Sequence, residues 1–186
     1  GGRIRFIGRD VVTITGTGRL LWSTDAGATW EERAELSTPA WFVDTAFGWS
    51  GTYYSRVVTR STDGGRSWLA AGEIPDTYCR DFRTFGFADS LCGVCNYYGE
   101  VPHPRIPSYF RWAVTSDGGT NWTLDSYGWG VGCDVDTRGQ VYGLEIYGCR
   151  LFEDDSSRLV TLQPRVPLND IAVARGERLW IVGAGG

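Results

Sequence analysis

Three observations predict an all-β fold, a β-propeller of four-stranded antiparallel blades with about four and a half blades visible in 186 residues. The first is an octet, [ST]-x-D-x-G-x-x-W, that occurs three times. Its fixed positions are Ser23, Asp25, Gly27 and Trp30, then Ser61, Asp63, Gly65 and Trp68, then Thr115, Asp117, Gly119 and Trp122. The second is that each octet follows a short apolar run (Leu20-Leu21-Trp22, Val57-Val58, Trp112-Ala113-Val114), so it sits where one strand turns into the next. The third is that the chain between octets is strand-like, punctuated by glycine and without a helical period, in units of about 40 residues.

In order, the first unit (1–36) reads as strands at 3–8, 11–16, 19–23 and 30–34. The second (37–75) reads as strands at 41–47, 52–55, 56–61 and 68–72, and the third (76–127) at 82–88, 91–98, 110–116 and 122–126. A fourth unit (128–165) has strands at 131–137, 140–147, 149–154 and 158–163, with its octet decayed to Glu153-Asp154-Asp155-Ser156-Ser157. The fifth (166–186) is partial, with strands at 170–174 and 178–183. Its phrase Leu179-Trp180-Ile181-Val182-Gly183 matches Val11-Val12-Thr13-Ile14-Thr15, after which the first unit continues into a third strand and the fifth does not. A propeller left open exposes a strand edge. The sequence is therefore read as one propeller domain or a segment of a longer one, with a partner chain completing the last blade, or a misplaced first unit, as the other readings.

Each fixed octet position has a physical reason. An Asp side chain in a tight turn accepts hydrogen bonds from backbone N–H groups further along, and Gly supplies positive φ. The Ser or Thr hydroxyl links the two limbs, and the Trp folds back over the turn to bury apolar area. These octets resemble the Asp box, or bacterial neuraminidase repeat, and the resemblance covers essentially the whole chain at the level of fold. It implies kinship with photosystem II assembly factor-like, sortilin-type and sialidase-type propellers, and the phrase at 179–185 is most similar to the first of these. Arg105-Ile106-Pro107 spells the sialidase Arg-Ile-Pro motif. In sialidases, however, that motif lies in an early strand before the first box, whereas here it stands in a proline-rich loop ahead of the third. The three substrate-clamping Arg residues and the Tyr–Glu pair of such enzymes have no counterparts by motif. The resemblance implies a non-catalytic binding or assembly platform, with a sialidase-like glycoside hydrolase fragment as the alternative.

In such a fold the octets lie on one face, and the second-to-third-strand and blade-to-blade loops lie on the other. Asp25 to Asp63 is 38 residues and Asp63 to Asp117 is 54, so the third unit carries an insertion, mainly over 97–109. That loop and its neighbours supply the ligand-binding candidates Tyr97, Tyr98, Glu100, His103, Arg105, Tyr109 and Trp129, beside Tyr53, Tyr54, Asp76, Tyr78 and Arg80. Aromatic faces near arginines and carboxylates suit a glycan or a peptide. The same tyrosines also suit plain capping of the channel or packing at blade junctions, the preferred reading for Tyr53 and Tyr78, and His103 between two prolines suits an exposed loop.

Composition narrows the function. The net charge is −4, with 18 arginines and no lysine, which disfavours a nucleic-acid partner. No apolar stretch reaches the roughly 20 residues of a membrane span. The absence of Met predicts that the start of the gene product, and any export signal with it, lies outside this sequence. Five cysteines are Cys79, Cys92, Cys95, Cys133 and Cys149. With His103 the single histidine, a zinc site at Cys92-x-x-Cys95 lacks ligands. Structural disulfides, and with them an extracellular or periplasmic setting, are the expectation. No metal and no cofactor is expected: the acidic runs at 134–136 and 153–155 match no calcium loop.

Overall fold

The computed structural model describes residues 3–16, 18–36, 39–101, 108–136, 138–145, 148–153, 156–161, 167–174 and 178–183, with the side chains of 16, 153–161, 170 and 172–179 excepted. Blade 1 is β1 (Arg3–Ile7), β2 (Val11–Gly16), β3 (Arg19–Ser23) and β4 (Glu31–Glu35). Blade 2 is β5 (Trp41–Phe42), β6 (Gly48–Gly51), β7 (Val57–Ser61) and β8 (Leu69–Glu73). Blade 3 is β9 (Cys79–Phe87), β10 (Gly93–Gly99), β11 (Tyr109–Thr115) and β12 (Thr123–Tyr127). Blade 4 is β13 (Gly130–Val135), β14 (Val141–Glu145), β15 (Gly148–Glu153) and β16 (Ser156–Thr161), and β17 (Leu168–Ala174) pairs with β18 (Arg178–Gly183) alone. Each four-stranded sheet is an antiparallel meander in chain order, so the four sheets form the blades of a β-propeller. The first strands converge on the centre: Arg3 of blade 1 donates to Thr84 Oγ1 of blade 3 (3.0 Å) and to the Val131 carbonyl of blade 4.

All three octets are hairpin turns with one hydrogen-bond scheme. In the second, Ser61 Oγ donates to Asp63 Oδ1 (2.9 Å) and accepts from Gly65 N (2.8 Å). Asp63 Oδ1 also accepts from Ser67 N (2.9 Å), and Trp68 Nε1 donates to the Gly65 carbonyl (3.1 Å). Ser23, Asp25, Gly27, Thr29 and Trp30 repeat the scheme in blade 1, as do Thr115, Asp117, Gly119, Asn121 and Trp122 in blade 3. The hydroxyl thus organises the turn itself, bonding to Asp and Gly within it. Hydrogen bonds from the Thr29 hydroxyl and amide lower the Asp25 carboxyl to about 2, and the equivalent donors at Ser67 depress Asp63 as well. Because Ser61 Oγ is buried, Ser61→Ala leaves the Gly65 amide without its acceptor. The expected loss is about 1–2 kcal/mol in urea unfolding.

Rings pack the blade junctions, with the first-strand Phe and the octet Trp repeated and a Trp from the preceding blade added from β3 or from β6. Trp22 of blade 1 meets Phe42 of blade 2 edge-on at 5.0 Å, and Phe42 meets Trp68 of its own octet at 5.8 Å. One blade on, Trp49 stacks on Phe87 at 3.8 Å and Phe87 meets Trp122 at 6.2 Å. The octet backbone closes against the preceding blade. Arg33 Nη1 donates to the Gly64 carbonyl (2.6 Å) and Trp49 Nε1 to the Gly118 carbonyl (2.9 Å). A Cβ at Gly64 would stand 2.6 Å from the Thr45 carbonyl oxygen and 2.7 Å from Arg33 Nη1, and φ there is +72°. The equivalent Ala26 of blade 1, with φ 56°, is exposed and accommodates its methyl.

Three expectations need correction. The second strand of blade 2 is Gly48–Gly51 and not 52–55, and β5 ends at Phe42. Asp44 Oδ1 caps Ala46 N and Phe47 N, turning the chain early. Gly48 and Gly51 are strand residues because a side chain at either would overlap the Phe42 or Phe82 ring. In blade 4, Val141 pairs with Phe152 as Gly48 pairs with Ser61 and Gly93 with Thr115, so Phe152, not Glu153, stands at the octet's hydroxyl position. Finally, no disulfide is present at any of the five cysteines. The registers set Cys79 opposite Gly99, Cys133 opposite Gly143 and Cys149 opposite Leu144, and Cys95 lies between Phe85 and Ala113, so none of these four is the cross-strand partner of another. Burial pushes the Cys79 and Cys133 thiols up to about 12, and the cysteines lend no support to an oxidising compartment. The pairing of the Gly1 and Gly186 ends, which would decide whether the ring closes, lies outside the described residues.

Candidate functional site

The face opposite the octets carries an aromatic groove between blades 2 and 3. Its cavity volume is about 350 Å³. One wall is the β6–β7 turn, closed by Thr52 N to the Val57 carbonyl (3.1 Å) and Ser55 N to the Thr52 carbonyl (3.2 Å). Tyr54 adopts φ 52° there, a left-handed conformation that costs a bulky side chain on the order of 1–3 kcal/mol. The turn holds Tyr53 and Tyr54 edge-to-face at 4.4 Å while both stay open to solvent, at 50% and 66% exposure. Hydrogen bonding to Tyr54 raises the Tyr53 hydroxyl's pKa above its ordinary value.

The facing wall is Trp129, stacked on Phe110 at 4.4 Å and 16° and 47% exposed, with Tyr98 at 5.4 Å from Phe110. A fully buried Asn96 fixes the loop that carries Trp129. Its Nδ2 donates to the carbonyls of Gly128 (2.9 Å) and Arg111 (3.1 Å), and its Oδ1 accepts from Gly130 N (3.2 Å). The floor is charged. Arg83 sits 3.9 Å from Asp81 and 5.9 Å from the Phe110 ring centre, and Arg80 donates to the carbonyls of Thr77 and Cys79 at its edge. Burial raises the Asp81 carboxyl's pKa, against the opposing charge of Arg83. Glu100 completes the lining. A second hollow of about 320 Å³ shares Tyr53, Asp81 and Arg83 and runs inward to Arg3 and Val131, so the groove continues towards the centre of the ring.

Beneath the groove lies a polar knot. Asp76 Oδ2 accepts from Tyr97 Oη (2.7 Å) and Tyr109 Oη (2.6 Å), and Oδ1 accepts from Tyr78 N (3.0 Å). Burial opposes ionisation of Asp76, but these donors, Tyr109 first, outweigh it and hold the carboxyl below its ordinary value. Both phenols are pushed up, by burial and then by Asp76.

Of the sequence candidates, Tyr98, Glu100 and Trp129 come together in the groove. Tyr97 is fully buried and Tyr109 half-buried, both tied to Asp76 below it. His103 and Arg105 lie outside the described residues. Tyr53, read first as a cap, lines the groove with Tyr54, and Asp81, Arg83 and Phe110 were not singled out by sequence. β9 is bulged at Arg80 and Arg83, which have no partner in the register with β10, so a period-two pattern read from the sequence does not place these residues with Asp81 at the groove. Among the described residues no cluster of His, Cys, Asp and Glu could hold a metal, and no helix is long and apolar enough to cross a membrane.

No family model matches the sequence, and no curated protein matches it. Solved structures do. A structure of YCF48 bound to D1 peptide superposes with a TM-score of 0.63 at 19% identity, over 99% of this chain and 60% of that one. YCF48 from Cyanidioschyzon merolae follows at 0.57 and 18%, over 98% and 64%, and an ancestral GH74 enzyme at 0.57 and 16%, over 85% and 26%. The chain thus spans less than two thirds of the length of either YCF48 structure. At these identities the likeness establishes the β-propeller fold and nothing finer.

Proposed function

We propose that this chain is a non-catalytic docking platform whose groove between blades 2 and 3 binds a peptide segment of a protein partner. The observation that carries the reading is the strained Tyr53–Tyr54 turn, which presents two exposed rings opposite the Trp129–Phe110 stack. A structure that holds a bulky residue in a costly conformation to keep aromatic surface in water is preorganised for a ligand. Opposed rings suit apolar or proline side chains, and Arg83, Asp81 and Glu100 supply polar contacts for a backbone. The similarity to a propeller bound to a peptide supports the same ligand class. The shared hydrogen-bond scheme of the three octets supports reading them as Asp boxes. An extracellular or periplasmic setting is part of the proposal and rests on no disulfide, since the five cysteines are free.

The test is a peptide-array screen followed by titration of a retained peptide. Trp129→Ala and Tyr54→Ala are each expected to weaken binding about tenfold or more, as truncated aromatic anchors do, with thermal unfolding little changed for Trp129→Ala. Binding indifferent to both substitutions would sink the groove as the site. A hit on a glycan array with no peptide retained would reassign the ligand to a sugar, and turnover of a fluorogenic sialoside would favour the glycosidase alternative.

A further inference from the structure

The octet face holds a vacancy that the repeat itself defines. At the first and second junctions, three rings fill the space between blades: Trp22, Phe42 and Trp68, then Trp49, Phe87 and Trp122. The third junction has no ring at any of these positions, its aromatic contact being Trp112 of blade 3 against Phe152 of blade 4 at 4.9 Å. The registers put Val94 where Trp49 stands, because Val94 pairs with Val114 as Trp49 pairs with Arg60. The remaining ring comes from one member of a cross-strand pair, Trp22 of Thr13–Trp22 in blade 1 and Trp49 of Trp49–Arg60 in blade 2, and the equivalent pair in blade 3, Val94–Val114, has no ring. The registers put Val135 where Phe42 and Phe87 stand, because it pairs with Val141 as those rings' residues pair with Gly48 and Gly93. The octet Trp has no counterpart. Residues 154–155 alone join β15 to β16, against the seven-residue connections 24–30, 62–68 and 116–122 of the other blades. Phe152, in place of the Ser or Thr hydroxyl, offers no acceptor on which such a turn could be built. What remains is a cleft of about 1030 Å³ between blades 3 and 4, walled by Gly93, Val94 and Val114 on one side and Gly139, Val141 and Phe152 on the other.

We infer that this cleft is a second docking site, independent of the aromatic groove, and that it receives a glycine-containing tight turn bearing an indole, presented by a protein partner. The argument for that occupant is internal. At both filled junctions the space is taken by such a turn, whose Trp packs on the central ring and whose glycine carbonyl meets a donor from the preceding blade. The third junction retains apolar walls while losing the turn from its own chain. Volume and polarity fit: Val94, Val114, Val141 and Phe152 offer the ring an apolar seat, and Asp89, Ser116 and Gln140 line the cleft among polar groups that a turn's backbone can meet.

A backbone-cyclised peptide carrying Thr-Ser-Asp-Gly-Gly-Thr-Asn-Trp, the chain's own third octet, is the probe, with a counterpart in which Trp is Ala. Titrated into the isotope-labelled chain, the Trp peptide is expected to give saturable amide shifts at Gly93, Val94 and Val114, and the Ala peptide to bind at least tenfold more weakly. Val94→Trp should refill the cleft and abolish the response, with Val114→Arg, which restores the blade 2 residue, as the second variant should the first not fold. Equal binding of the two peptides, absence of a saturable shift on the wild-type chain, or shifts confined to Tyr53 and Trp129 would overturn the inference. So would the same shifts on concentrating the chain alone, since the occupant would then be a second copy.

Discussion

Trp49→Ala is expected to lower folding stability by about 3–5 kcal/mol, the range for truncating a fully packed aromatic side chain. Trp49 is completely buried, stacks on Phe87 at 3.8 Å and 7°, and donates Nε1 to the Gly118 carbonyl at 2.9 Å. It therefore joins blade 2 both to the innermost strand of blade 3 and to the third octet. Removing it opens a cavity at a blade junction and orphans a buried carbonyl. Against a typical total of about 5–15 kcal/mol, such a loss endangers the fold, so Trp49→Phe is the informative companion. Phe preserves part of the stacking and loses only the hydrogen bond and the second ring, and is expected to fall between wild type and Ala. Urea unfolding checks both; a loss under 1 kcal/mol for Trp49→Ala would mean that the junction is not packed as described.

Asp76→Ala is expected to cost about 2–4 kcal/mol, because it strips the acceptor from Tyr97 Oη, Tyr109 Oη and Tyr78 N together. Tyr97 is fully buried, so its hydroxyl finds no water in exchange, whereas the half-buried Tyr109 recovers part of its loss. Asp76→Asn keeps an acceptor and the shape and isolates the charge. Since the folded carboxyl lies below its ordinary value, its contribution is fully present above the unfolded value of roughly 3.9 and is lost as pH falls through the folded one. The stability gap between wild type and Asp76→Asn should therefore be flat from neutral pH down to about 4 and close below that. The depressed octet carboxylates Asp25, Asp63 and Asp117 weaken both proteins at acid pH, so the difference between the two is the quantity to read. A gap that persists unchanged at acid pH would show that the Asp76 charge is not what holds the tyrosines.

Local chemistry was legible where a single residue type has one use. The octets announced themselves because Asp, Gly and Trp at fixed spacing satisfy a turn from within, and the structure forms the same bonds in all three. β6 falls outside the strands the sequence predicts because Gly48 and Gly51, which look like loop glycines, are strand positions kept bare for the Phe42 and Phe82 rings. Blade 4 was off by one residue because its hydroxyl position had become Phe152, and only pairing with Val141 reveals that. For the groove, chain spacing pointed to the inserted loop and so to Tyr98, Glu100 and the neighbouring Trp129. Asp81, Arg83 and Phe110 join them through the folding of β9 and β11 side by side with β10, an arrangement no local pattern encodes.

By itself, then, the sequence determined the repeating hairpin, its face and the all-strand architecture, since these follow from interactions within some forty residues and from short-range turn chemistry. Tertiary structure alone decided which tyrosines open to solvent and which lie on Asp76, that the cysteines form no disulfide, and that one blade junction lacks the octet-side rings of the other two. Those outcomes depend on contacts between residues far apart in the chain, where packing geometry, not residue type, sets which groups meet.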